Sequence, residues 1–203
     1  MFGFGMAVPG VAVLGTPRRA ENLLEDSWQL TTAYWGGNTP YVADAVGTPD
    51  PWGSATACVM YCQSALAAWA TKAEQIGRVY ATQAKICGSA YFLDDGDSDL
   101  NPYMSVRFVN GGTVYSQALA FTRPGGLVRS GVNFADGSGV IDVGGGWYRA
   151  YIVLDLAGRS LNAATIKFAV ELFGGAADVN QSFYLAGLQV NTGDLPTAYS
   201  ARP

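Results

Sequence analysis

The chain of 203 residues contains no histidine. Without an imidazole there is no Ser-His-Asp or Cys-His nucleophile pair and no His-ligated zinc or haem. Charge is sparse as well: 14% of residues are charged, 12 basic against 16 acidic, for a formal net charge of −4. That balance repels phosphate backbones and excludes a polybasic nucleic-acid binder, while 49% hydrophobic residues exclude a disordered chain. Cysteine is limited to Cys58, Cys62 and Cys87. An odd number of thiols is no disulfide scaffold, and a chain of this length buries roughly 70% of its unfolded surface without staples. Folding in a reduced compartment and burial as apolar thiols follow, since a closed zinc site needs a fourth ligand that is not there.

Glutamate is nearly as scarce, with Glu21, Glu25, Glu74 and Glu171 alone, and the Asp residues gather with Gly, Asn or Ser in turns. Glycoside hydrolysis needs two carboxyl groups about 5 to 10 Å apart in contrasting environments. No pair stands out as such an acid and base, so the chain is expected not to be an enzyme, with a glycan depolymerase the remotest of three readings.

What the sequence does have begins with an uncharged apolar run, MFGFGMAVPGVAVLG. A membrane-spanning helix needs about 20 apolar residues, and this run is broken by Gly3, Gly5, Pro9, Gly10 and Gly15. A signal peptide places its basic residues ahead of the apolar stretch, whereas Arg18 and Arg19 follow it. Residues 1–20 are therefore expected to form an extended anchoring arm, with a disordered terminus as the alternative. Phe2, Phe4, Met6, Val8, Val11, Val13 and Leu14 are its contact residues, adding as a strand or plug to a partner surface.

The body, residues 21–203, is punctuated by turn formers: Gly36-Gly37-Asn38, Thr48-Pro49-Asp50-Pro51, Asn110-Gly111-Gly112, Arg123-Pro124-Gly125-Gly126, Ala135-Asp136-Gly137 and Gly144-Gly145-Gly146. Between them hydrophobicity alternates. Tyr148, Ala150, Ile152, Leu154 and Leu156 take one face while Arg149 and Asp155 take the other, and Ile166, Phe168, Val170 and Leu172 repeat the period. A period of two buries one side of a strand. Val106–Val109 and Val114–Phe121 flank Asn110-Gly111-Gly112 as a hairpin. Ser54–Ile76 is ambiguous: it is rich in Ala, with Lys72 and Glu74, and permits a short helix near Ala65–Gln75, yet Thr56–Tyr61 also reads as a strand. The expected fold is all-β, an antiparallel β-sandwich with at most one short helix.

Several motifs carry a resemblance. These are Asn22-Leu23-Leu24 with Ser27 and Trp28, Pro51 and Gly53 with Thr56-Ala57, Gly146-Trp147-Tyr148-Arg149, and Phe183-Tyr184-Leu185-Ala186-Gly187-Leu188-Gln189-Val190. The last leads into Gly193-Asp194-Leu195-Pro196-Thr197-Ala198-Tyr199. In this order and spacing the chain resembles the jelly-roll, carbohydrate-binding-module-like domains of bacteriophage virion proteins, particularly tail-fibre and appendage components. One departure is Gln189-Val190-Asn191, where the family commonly has an acidic residue after its Gln-Leu. The resemblance implies a tail-fibre, appendage or decoration protein, located in the virion and assembled in the host cytoplasm. Its implied partners are other virion proteins and itself, as a homotrimer.

Two constellations bear on ligands. Trp147 and Tyr151 share a face with Arg149, opposite Tyr148, and an exposed aromatic face there would stack on host surface polysaccharide. A host-glycan-binding adhesin using Trp147, Arg149 and Tyr151 is thus the second functional reading, although packing against a subunit or a covering loop answers the same pattern, and Arg149 then serves as a solvated or salt-bridged residue. Asp95, Asp97, Asp99 and Asn101 alternate in a Gly-containing loop that could offer oxygens to calcium, the one candidate cofactor. An ordinary solvated acidic turn answers that pattern too.

Overall fold

In a computed structural model the described residues form twelve strands: β1 (Gly36–Gly37), β2 (Val42–Asp44), β3 (Cys58–Tyr61), β4 (Ala68–Gln75), β5 (Lys85–Leu93), β6 (Asn101–Asn110), β7 (Thr113–Thr122), β8 (Leu127–Arg129), β9 (Gly139–Gly144), β10 (Trp147–Asp155), β11 (Thr165–Phe173) and β12 (Ser182–Thr192). The structure describes these strands with residues 48–57, 138, 145–146, 156–157 and 193–199, and describes side chains over 48–59, 85–93, 138–157 and 184–199. The strands form two six-stranded antiparallel sheets, β1-β4-β11-β6-β7-β8 and β2-β3-β12-β5-β10-β9. β10 of the second sheet lies near β6 and β7 of the first, β3 near β4, and β8 near β9.

The all-β class read from turn spacing is the class the chain adopts, and there is no helix among the described residues. The short helix expected near Ala65–Gln75 is corrected: β4 occupies Ala68–Gln75, laddered to β11 from Ala68 to Gln75 and to β1 at Ala70 and Thr71. Ladder partners on both sides override the helix propensity of its alanines, which is a weak local preference. Gly36-Gly37, expected to turn, is β1 itself. The β6–β7 hairpin holds as expected, with Asn110 opposite Thr113. Gly145 and Gly146 take φ of +63° and +80° between β9 and β10. Positive φ at both central residues matches the type I′ turn that suits the right-handed twist of a hairpin.

The second sheet buries Ile86, Ala90 and Phe92 of β5, Ala150, Ile152 and Leu154 of β10, and Leu185, Leu188 and Val190 of β12. On β10 these are the inward positions that the alternation picked out, with Tyr148 half-buried at the strand's start. On β12 the phase changes. Ala186 pairs with Tyr91 and Gln189 with Ser89, so three steps on β12 span two on β5 and the strand bulges at Gly187 and Leu188. Gly187 has φ of +55°, the left-handed conformation glycine adopts without a Cβ penalty. The bulge brings both Leu185 and Leu188 inward, which unbroken alternation would not.

Residues 1–20 of the expected arm and Asp95, Asp97 and Asp99 of the acidic loop lie outside the described residues. Asn101 opens β6.

Candidate functional site

The opposite face of the second sheet is also covered. β5 is buried at every position from Ile86 to Phe92, so Cys87, Ser89 and Tyr91 are as enclosed as the inward residues between them. Trp147 and Arg149 on the same face are 5% and 6% exposed, and Tyr151 is half-buried. The expectation of one buried face is therefore corrected. Residues 50–57 and the tail after β12 lie over this side, through the contacts that follow.

Arg149 is central to the cover. Its Nη2 and Nε donate to Ser89 Oγ at 2.9 and 3.3 Å, and its Nη1 donates to the Thr197 carbonyl at 2.6 Å. Its guanidinium lies 4.9 Å from the centre of the Tyr91 ring, where the negative π face attracts a cation. Burial pulls the Arg149 pKa below its ordinary value, while Tyr91 and Cys87 pull it back up. The expectation of a solvated or salt-bridged arginine is corrected too: its partners among the described residues are a hydroxyl, a carbonyl and a ring. Arginine suits this role because its planar fork reaches two acceptors at once.

The tail is held at two further points. Gln189 Nε2 donates to Thr197 Oγ1 at 2.7 Å. Asn191 Nδ2 donates to the carbonyls of Thr192 and Leu195 at 2.9 and 3.0 Å, and its Oδ1 accepts from the Thr197 N–H at 3.4 Å. Near the turn, Gly193 N–H donates to the Lys85 carbonyl at 2.9 Å. Gln189 and Asn191 share a face because they are two apart on β12, beyond its bulge.

Residues 50–57 form the second piece of the cover. The Asp50 carboxylate accepts from the Trp52 and Ser54 N–H groups, both at 2.9 Å, from Ser54 Oγ at 3.3 Å, and from Thr56 Oγ1. Gly53 N–H closes a turn on the Asp50 carbonyl at 3.0 Å, with φ of +80° at Gly53. Asp50 is 4% exposed. Burial raises the pKa of such a carboxyl, but the hydrogen bonds from Thr56, Ser54 and Trp52 together outweigh it and hold Asp50 below the usual carboxylate range.

The two pieces meet over Gly187. Trp52 stacks on Tyr199 with centroids 4.4 Å apart and planes 22° apart, and both rings meet Tyr91 edge-on, at 5.0 and 6.4 Å. A Cβ on Gly187 would lie 2.3 Å from the Trp52 indole, so glycine there serves the backbone bulge and the ring above it together. Beneath this layer Trp147 packs with Ala57, Tyr91 and Ala186. Trp52 itself stays 44% exposed.

Trp147, Arg149 and Tyr151 thus share the face that alternation gave them, but Trp147 lies under the cover and Tyr151 lies against Gly139. Among the described residues, the exposed aromatic ring on this side is Trp52. Asp50, Trp52, Ser89, Tyr91, Gln189, Thr197 and Tyr199 were not singled out as site residues by the sequence. The available signals were the Asp-Pro-x-Gly-Ser-x-Thr order at 50–56 and a glycine inside an apolar strand. Cys58 and Cys87 are buried, as expected of apolar thiols, and burial pushes the Cys87 thiol up to about 12, with Arg149 opposing and Asp194 adding to the shift. Among the described residues no helix is long and apolar enough to cross a membrane.

No family model matches the chain, and no curated protein does. Among solved structures, an arabinose-bound GH51 α-L-arabinofuranosidase is similar at 14% sequence identity with a TM-score of 0.47. The match covers 86% of this chain, which spans 26% of that enzyme's length.

Proposed function

We propose that this chain is a structural subunit of a bacteriophage virion, a tail-fibre, appendage or decoration component. Its strands close as a jelly-roll sandwich, and its first twenty residues dock it on the particle. The proposal starts from the resemblance of the sequence motifs. One observation supports it: Arg149, Gln189, Thr197 and Tyr199, all motif residues, converge on holding the tail against the sheet. The polar atoms of Arg149 and Gln189 are turned on Thr197 and the Tyr199 ring is stacked on Trp52, the arrangement of a stiff, sealed body whose product is a contact surface. The reading assigns no catalysis to the chain and takes virion proteins and further copies of itself as partners.

The test is incorporation. Particles assembled with the full chain should contain it in fixed stoichiometry, and replacing Phe2, Phe4 and Met6 with Asp should abolish incorporation while the protein stays folded. Full incorporation of that variant would overturn the docking role.

A second reading, a host-glycan adhesin, draws on the exposed Trp52 ring, whose indole is backed by Tyr199 and Tyr91. A flat aromatic with a fixed backing is a surface on which a sugar ring can stack. Binding on a glycan array that is lost in Trp52→Ala and kept in the full-length parent would favour it. Absence of binding to any host glycan would remove it.

A further inference from the structure

The two lateral ends of the sheets differ. At one end stand β1 and β2, two and three residues long, and β8 ends its sheet with three. β9 ends the other sheet with six residues, Gly139–Gly144. Its inner edge pairs with β10, and among the described residues no strand pairs with its outer edge, although β8 comes near. Natural edge strands are blunted by brevity, by charged side chains (lysine above all) or proline, by bulges, or by a cover. β9 reads Gly-Val-Ile-Asp-Val-Gly: it has no lysine or proline, its one charged side chain, Asp142, accepts from the Gly144 N–H at 2.8 Å, and the strand bulges at Val143 near its end, while Ile141 and Val143 are 43% and 42% exposed. Such an edge is a template for another extended chain.

The chemistry that fits it is in the sequence. Phe2, Phe4, Met6 and Val8 alternate with Gly3, Gly5 and Ala7, after which Pro9-Gly10 interrupts the pattern. Extended, this segment has one face of large apolar side chains and one face almost bare, and it carries no side-chain charge. Its seven residues span about 23 Å at about 3.3 Å each, against about 20 Å for the six of β9. The chain enters the described fold at β1, the end of its sheet opposite β8, and β8 is the strand near β9. Five strand spacings of about 4.8 Å separate those ends. A neighbouring copy set alongside therefore offers its β9 at the end where this chain's N-terminal part joins the body.

Resting on the reading of residues 1–20 as a docking arm, we infer that residues 2–8 of one copy add as a strand to the outer edge of β9 in a second copy. Donor and acceptor are different surfaces, so the contact is head-to-tail, and it closes into a ring when its rotation allows.

Two full-length single variants, Phe4→Cys and Val143→Cys, one carrying a size tag, are co-expressed, purified and oxidised. A disulfide-linked heterodimer on a non-reducing gel is expected, and its yield should fall to background when Asp155→Cys replaces Val143→Cys. In parallel, the full chain with Ile141→Lys and Val143→Lys should drop to the monomer mass in light scattering with its melting temperature unchanged. No heterodimer from folded variants, or an oligomer that survives both lysines, would overturn the inference. The virion reading fails separately. Arm-dependent incorporation without the heterodimer sinks only the β9 acceptor, and the heterodimer with arm-independent incorporation sinks only particle docking.

Discussion

The two faces of the β12–β5–β10 layer are buried almost equally by different means. The inner face is apolar, with Ile86, Ile152, Leu188 and Val190 excluded from water. The outer face carries Ser89, Gln189 and Asn191, no less buried, and Arg149, nearly so, and is closed by hydrogen bonds to a tail and by aromatic stacking with a loop. The inner face gains from leaving water whatever its neighbours are, since the hydrophobic effect is non-directional. The outer face is stable only while every buried donor and acceptor keeps its partner, because an orphaned polar group bears its full desolvation penalty. One face tolerates approximation; the other depends on geometry.

The largest loss should come from the inner face. Ile152→Ala removes a side chain with no exposure and is expected to cost about 3 to 4 kcal/mol, or roughly 10 °C in melting temperature for a chain of this size. The tail should stay protected from protease until the whole body unfolds. Arg149→Met tests the outer face. It removes two charged donors from Ser89 and the one donated to the Thr197 carbonyl, for an expected cost of about 2 to 3 kcal/mol. Its distinguishing sign is cleavage within residues 193–199 under conditions where Ile152→Ala is intact. Equal protection of the tail in both variants would mean that Arg149 does not hold it.

This contrast explains what was legible beforehand. The alternation from Tyr148 to Leu156 needs no knowledge of the rest of the chain, and it located the inward residues of β10. The outer cover depends on partners far apart in sequence: Arg149 reaches 48 residues to Thr197 and 60 to Ser89, and one of its acceptors is a backbone carbonyl that any residue would supply. No local pattern encodes that. β4 illustrates the same limit, since its helix-forming alanines give no sign of the two strands that ladder it. Gly187 is intermediate. A glycine between Leu185-Ala186 and Leu188 is a recognisable bulge signal, but the indole resting on it is not.

Gly187→Ala sharpens the comparison from the middle of the layer. The substitution strains a left-handed residue and sets a methyl group against the Trp52 ring. An expected loss of about 1 to 2 kcal/mol should accompany a change in Trp52 fluorescence as the stack on Tyr199 opens. A loss of stability with the fluorescence unchanged would assign the glycine to backbone conformation alone.

The smallest effect is the most specific, because it isolates a polar contact from volume. Asp50→Asn keeps the shape of the 50–56 clasp but replaces a carboxylate that accepts four hydrogen bonds. The expected loss at neutral pH is about 1 kcal/mol, with a pH dependence of known sign. The folded pKa of Asp50 lies below that of the unfolded chain, near 3.9, because its hydrogen bonds outweigh its burial. Its contribution is therefore complete above about pH 4 and is lost as pH falls through the folded value, where the folded state too takes up the proton. Denaturant melts of the two proteins should converge on acidification, the difference between them vanishing once Asp50 is protonated in both states. A gap that stays constant down to pH 2 would show that the clasp depends on the atom replaced and not on its charge, and would set the 50–56 loop beside the inner face as a matter of packing.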